Sequence, residues 1–127
     1  HHNRSAINTL EKSKGGKSKE IREVTTNTLN NIIENSKYKD LEIDFISIDV
    51  EGHEMKVVKG FDLEKYSPKI VVIEHQDLDM KKEEFHNQNI EKIIKSNIYN
   101  HMISRNYALV NWLHADLVFI NKNLQDN

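Results

Sequence analysis

The chain contains no cysteine. That excludes disulfides, thiolate zinc sites and a cysteine nucleophile. It has no long apolar run. Hydrophobic residues are 37% of the 127 and charged residues 30%, which leaves no material for a membrane span. It has no excess of one charge: 18 basic against 20 acidic residues, net −2. Nucleic-acid binding, which needs a basic face, is therefore not expected. No apolar signal segment opens the chain, so a cytoplasmic location is expected. His1 and His2 stand first without a methionine, and read as retained tag residues or as part of something longer. The H-E-x-x-H zincin motif is absent, because Val57 stands where the second histidine would be. The G-x-x-x-x-G-K-[ST] phosphate loop is absent as well. No internal repeat is visible. At this length the chain is one domain at most, large enough to bury a core.

What is present centres on Ile43 to Glu54, IDFISIDVEGHE. Ile43, Phe45, Ile46, Ile48 and Val50 form a short, β-branched, nearly continuous apolar run. Such a run reads as a central strand buried on both faces. Asp49, Glu51, His53 and Glu54 arrive together at its C-terminal end. In open α/β sheets that end is where ligands bind.

The flanking chain frames this strand. Residues 1–19 read as a flexible N-terminal loop segment, and Lys12–Lys19, KSKGGKSK, is either an anion cradle or a solvated surface loop. Glu20–Thr25 alternates like a short strand. Thr26 or Asn27 can cap a helix reaching about Ser36, with Leu29, Ile32 and Ile33 on one stripe. After a turn at Gly52 comes a short helix, Glu54–Lys59, with Gly60 placed as a left-handed C′ residue. Asp62 can cap one further turn, Leu63–Tyr66, and Pro68 ends it. Lys69–Glu74 is a second buried strand, closing on the polar pair Glu74 and His75. Gln76–Gln88 is a long polar connection, either a lid or a solvated loop. Asn89–Arg105 reads as one long helix carrying Ile90, Ile93, Ile94, Ile98 and Met102 on one face. Tyr107–Leu113 and Asp116–Ile120 form a hairpin at the far edge of the sheet, and the tail Asn121–Asn127 is expected to fray. This alternation implies an α/β, mainly parallel, three-layer architecture with helices on both faces and a C-terminal antiparallel hairpin.

The acidic cluster supports several chemistries. Asp49 and Glu51 can hold a hard cation such as magnesium through oxygen. Carboxylates held close together, beside an imidazole that titrates near neutrality, can instead take a proton from a hydroxyl. A structural role is equally open: Asp49 or Glu51 capping the next helix, and Glu54 complementing its dipole. Glu74 and His75 close the neighbouring strand in the same way, so parallel pairing would bring both polar ends to one rim.

IDFISIDVEGHEMKVVKGFD followed by YSPKIVVIE resembles the signature of FkbM-type methyltransferases. VTTNTLNNII upstream and NYALVNWLHADLVFI downstream extend the resemblance to about 100 residues. The resemblance implies a class I, Rossmann-like fold and the cofactor S-adenosyl-L-methionine. It also implies O-methylation of a hydroxyl on a sugar, glycan or natural product. The family's glycine-rich turn after its first strand and its acidic residue after the second have no counterpart here. The chain therefore resembles the C-terminal half of that fold, a single partial domain over residues 1–127. On this basis Asp49, Glu51 and His53 are the candidate catalytic residues. Glu54, Glu74 and His75 are the candidate substrate-binding residues, and no metal ligand is assigned. Two other readings stay open: a non-catalytic domain that associates through an open sheet edge, as an oligomer or a domain swap, and a magnesium-dependent hydrolase using the same acids.

Overall fold

A computed structural model describes residues 24–75 and 90–126. The loop Lys12–Lys19, most of the strand expected at Glu20–Thr25 and the connection Gln76–Gln88 lie outside the described residues. The elements in order are α1 (Leu29–Glu34), β1 (Phe45–Ile48), α2 (Glu54–Lys59), α3 (Leu63–Tyr66), β2 (Ile70–Glu74), α4 (Ile90–Ile94), α5 (Asn97–Ser104), β3 (Tyr107–Leu113) and β4 (Asp116–Asn121). A 3₁₀ turn, Lys122–Asp126, takes the place of the frayed tail.

Short polar side chains set the helix starts, because a hydroxyl or carboxylate oxygen satisfies amides that have no partner in the first turn. Thr28 Oγ1 accepts from the Asn31 N–H and opens α1, one or two residues later than expected. Asp62 accepts from the Glu64 and Lys65 amides and opens α3 as expected. Ser96 divides the single long helix expected over Asn89–Arg105. It takes an extended conformation (φ −70°, ψ 152°), accepts from the Tyr99 N–H at 3.1 Å and starts α5 afresh. A serine offers the backbone this alternative wherever it falls. The break lets Ile93 on α4 and Ile98 and Met102 on α5 all reach the core. Gly60 ends α2 at φ −86°, so it is not the left-handed residue expected there. Ser67, at φ 42°, is the left-handed cap of α3.

The sheet order is β1-β2-β4-β3. Only β1 and β2 are parallel; β4 runs antiparallel to both β2 and β3. The sheet is therefore mixed, not mainly parallel. The cause is the hairpin, which inserts its second strand beside β2 and leaves β3 outermost. Both hairpin strands lie at the far edge, as expected. Nor is β1 a central strand buried on both faces: among the described residues it lies at the sheet edge. Phe45 is 56% exposed and only Ile48 of the four is buried. Ile43 and Val50, read as strand residues, flank it and pack partly against the core.

Alternation along the strands places Ile48, Val71, Ile73, Leu117, Phe119 and Tyr107 on one face. There they join Val58, Leu63, Ile93, Ile98 and Met102 in a single core. Phe45, Ile70 and Leu113, on the opposite face, stay exposed. Tyr107 donates its hydroxyl to the Pro68 carbonyl at 2.8 Å in the buried interior, pinning β3 to the segment that enters β2. No helix among the described residues is long and apolar enough to cross a membrane.

Candidate active site

The parallel pairing of β1 with β2 brings two polar strand ends to one rim. Ile48 is level with Ile73, so Asp49 and Glu74 occupy the next positions on adjacent strands. Glu54, the first residue of α2, folds back beneath them. Carboxylate oxygens of Asp49, Glu54 and Glu74 lie within 4.8 Å of one another. Asp49 is exposed, Glu74 is half-buried with its Oε2 shielded from water, and Glu54 is buried.

The loop joining β1 to α2 is tight. Glu51 (φ 52°) and Gly52 (φ 90°) are consecutive left-handed residues. An L-residue there costs about 1–2 kcal/mol, and glycine almost nothing. A Cβ at position 52 would meet nothing within 4 Å, so its conformation requires the glycine and not crowding. The Glu54 carboxylate holds this turn: its Oε1 accepts from the Val50 N–H at 3.1 Å and the Gly52 N–H at 3.0 Å. Charge-assisted bonds of this kind, near a helix N-terminus, offset the cost of burying a carboxylate.

The remaining sequence candidates sit around this rim. Glu51 is exposed and is not among the clustered oxygens. The metal reading joined Asp49 to Glu51; the geometry groups Asp49 with Glu54 and Glu74. His53 occupies the N-cap position of α2 without a capping side-chain bond. Its Nδ1 is 3.1 Å from Lys56 Nζ. The His75 N–H donates to the Ala115 carbonyl at 2.7 Å, which ties the end of β2 to the hairpin turn.

Sequence reasoning missed Asp116. It stands directly opposite Glu74 in the β2–β4 register, so Asp116 on β4, Glu74 on β2 and Asp49, one residue past β1, form a row. An aspartate following a hairpin turn signals nothing until β4 is known to lie beside β2. No cation pairs with Asp49, Glu51 or Asp116 among the described residues. Beside this row an open apolar groove of about 430 Å³ runs between β1 and α1, lined by Leu29, Ile33, Ile46 and Val57 with Asp49 at its border.

Negative groups this close favour a ligand that brings positive charge or hydroxyl protons. A sulfonium cofactor fits that charge. Of the two cofactor-side features implied by the resemblance, a glycine-rich turn after a first strand and an acid after a second, neither lies among the described residues.

Residues 2–101 match the family model described as the methyltransferase FkbM domain. The match takes in residues 2–23 and ends before the hairpin of β3 and β4. No curated protein and no solved structure matches the chain.

Proposed function

Because the chain belongs to the FkbM methyltransferase domain family, we propose that it takes part in S-adenosyl-L-methionine-dependent O-methylation of a hydroxyl on a sugar, glycan or natural product. The cofactor supplies an electrophilic methyl group, and the hydroxyl oxygen takes it as the carbon–sulfur bond breaks. The chain's own residues have two tasks: to align the hydroxyl and to accept its proton. Asp49 or Glu51 is assigned the proton, with His53 as the alternative base. Glu74 and His75 are assigned to the acceptor. The observation that carries this reading is the meeting of Asp49 and Glu74 at the C-terminal ends of adjacent parallel strands, within a chain whose family transfers methyl groups.

The test is transfer of labelled methyl from S-adenosyl-L-methionine to a panel of hydroxyl acceptors by the full-length protein. Label on acceptor oxygen in the wild type, lost in Asp49→Ala and Glu51→Ala, is the expected result. Unchanged methylation by both variants would defeat the assignment of the base. Absence of transfer to any hydroxyl, with transfer to amine acceptors, would defeat the substrate class.

A second reading draws on the exposed position of β1. Among the described residues it has a neighbour on one side only, and edge strands invite pairing with another chain. Association through this edge predicts a dimer in gel filtration that a proline at Ser47 disperses. A monomer at all concentrations removes this reading.

A further inference from the structure

Glu54 stands out among the rim acids because it is withdrawn from the surface. It is only 6% exposed, and one of its oxygens is committed to two backbone amides of its own loop. Those amides belong to Val50 and Gly52, on either side of Glu51. The loop changes hand at Glu51 and Gly52, and both residues are left-handed. Amides on such a turn converge on one point and form an anion-binding concavity. In this chain the concavity is filled by an internal carboxylate four residues after the first donor. Glu51 pays for its unfavourable backbone only while something holds the turn.

We propose that Glu54 is a positioning residue: it acts as an internal anion that sets the Glu51–Gly52 turn and thereby aims Asp49 and Glu51 at the acceptor, without touching the acceptor itself. The inference rests on the methyl-transfer reading for its kinetic consequence but not for its structural one. An acceptor contact requires a carboxylate that ligand can reach. Glu54 is buried, and its bonds run to the chain. Asp49 and Glu51 are exposed and close the same loop at its other end. The role demands a hydrogen-bond acceptor at this point and not a negative charge. A glutamine carbonyl meets that demand and an alanine does not.

Three readouts on the full-length protein test this. Glu54→Ala is expected to lower kcat about 100-fold, the scale on which small misplacements of aligned groups act, while the cofactor KM shifts less than about threefold. Glu54→Gln is expected to recover most of that loss. Acetate, a carboxylate small enough for the vacated space, is expected to raise the rate of Glu54→Ala saturably, and chloride at equal ionic strength is not. Independently of activity, hydrogen exchange at the Val50 and Gly52 amides is expected to be slow in wild type and Glu54→Gln and at least tenfold faster in Glu54→Ala. Exchange unchanged in Glu54→Ala overturns the brace itself. Glutamine as inactive as alanine, with both amides still protected in the glutamine variant, overturns the positioning role in favour of direct action by the charge. If the wild type transfers no methyl while the exchange pattern appears as expected, the methyl-transfer reading fails and the brace stands.

Discussion

The two ends of the β1–β2 pair treat charge in opposite ways. Where the strands begin, opposite charges pair. Lys69 pairs with Asp44 and reaches Glu42, Lys65 pairs with Glu34, and Arg105 pairs with Glu64. The Glu34 carboxyl is held below the usual carboxylate range by the Lys65 ammonium bonded to it, and Lys65 and Lys69 are raised by their carboxylate partners. The buried Tyr107 hydroxyl finds the Pro68 carbonyl. Where the strands finish, acid meets acid: Asp49, Glu54 and Glu74 cluster, and Asp116 faces Glu74. The first end is arranged for stability. The second sets acids side by side. A buried glutamate there satisfies the loop's amides while Asp49 and Glu51 stay exposed.

Substitutions at the two ends should therefore have different signatures. The largest effect is on turnover: removing the proposed base, by Asp49→Ala or Glu51→Ala, should cost at least about 100-fold in methyl transfer with little change in denaturation midpoint. A thermal shift comparable to a core mutant would move these acids to the structural side of the comparison. Next comes the core between the two ends. Ile73 is fully buried, and Ile73→Ala should cost about 2–5 kcal/mol in denaturant unfolding. Tyr107→Phe strands the buried Pro68 carbonyl and should cost about 1–3 kcal/mol while leaving methyl transfer intact.

Tyr107 also carries a pH signature. Burial pushes its hydroxyl up to about 12. Folding favours the neutral phenol, so this stabilisation is complete below the ordinary tyrosine value near 10 and is lost as pH rises through about 12. Unfolding free energy followed from pH 9 upward should fall across that window, and the Tyr107→Phe variant should fall less steeply.

The smallest effect is the sharpest on sign. Asp116→Asn relieves a directly opposed like-charge pair and should raise stability by about 0.2–1 kcal/mol. Lys69→Ala, at the other end, should lower stability slightly, and the difference should shrink in salt. If both changes destabilise, the contrast between the two ends is wrong.

Much of this molecule was legible in local patterns. The apolar runs marked both parallel strands, because β-branched residues in short blocks fit only a pleated, packed surface. Asp62 was identified as a cap and His114–Ala115 as a hairpin turn, since both depend on contacts within a few residues. The rim of Asp49 and Glu74 followed from two strand ends of like polarity, given parallel pairing. Ser96 went unread because a serine inside an apolar periodicity is silent until packing decides whether the helix continues through it. Asp116 went unread because its neighbour in space, Glu74, is separated from it by the whole of α4, α5 and β3.

Interactions that span about four residues therefore account for the strands of the described sheet, the starts of α2 and α3 and the acidic turn. Tertiary structure alone decided that β4 inserts beside β2, that β1 stands at the edge of the described sheet, and that Glu54 turns inward while Asp49 faces out. Those outcomes depend on which surfaces are left to bury once the elements exist. That competition among distant parts of the chain leaves no mark on any one segment.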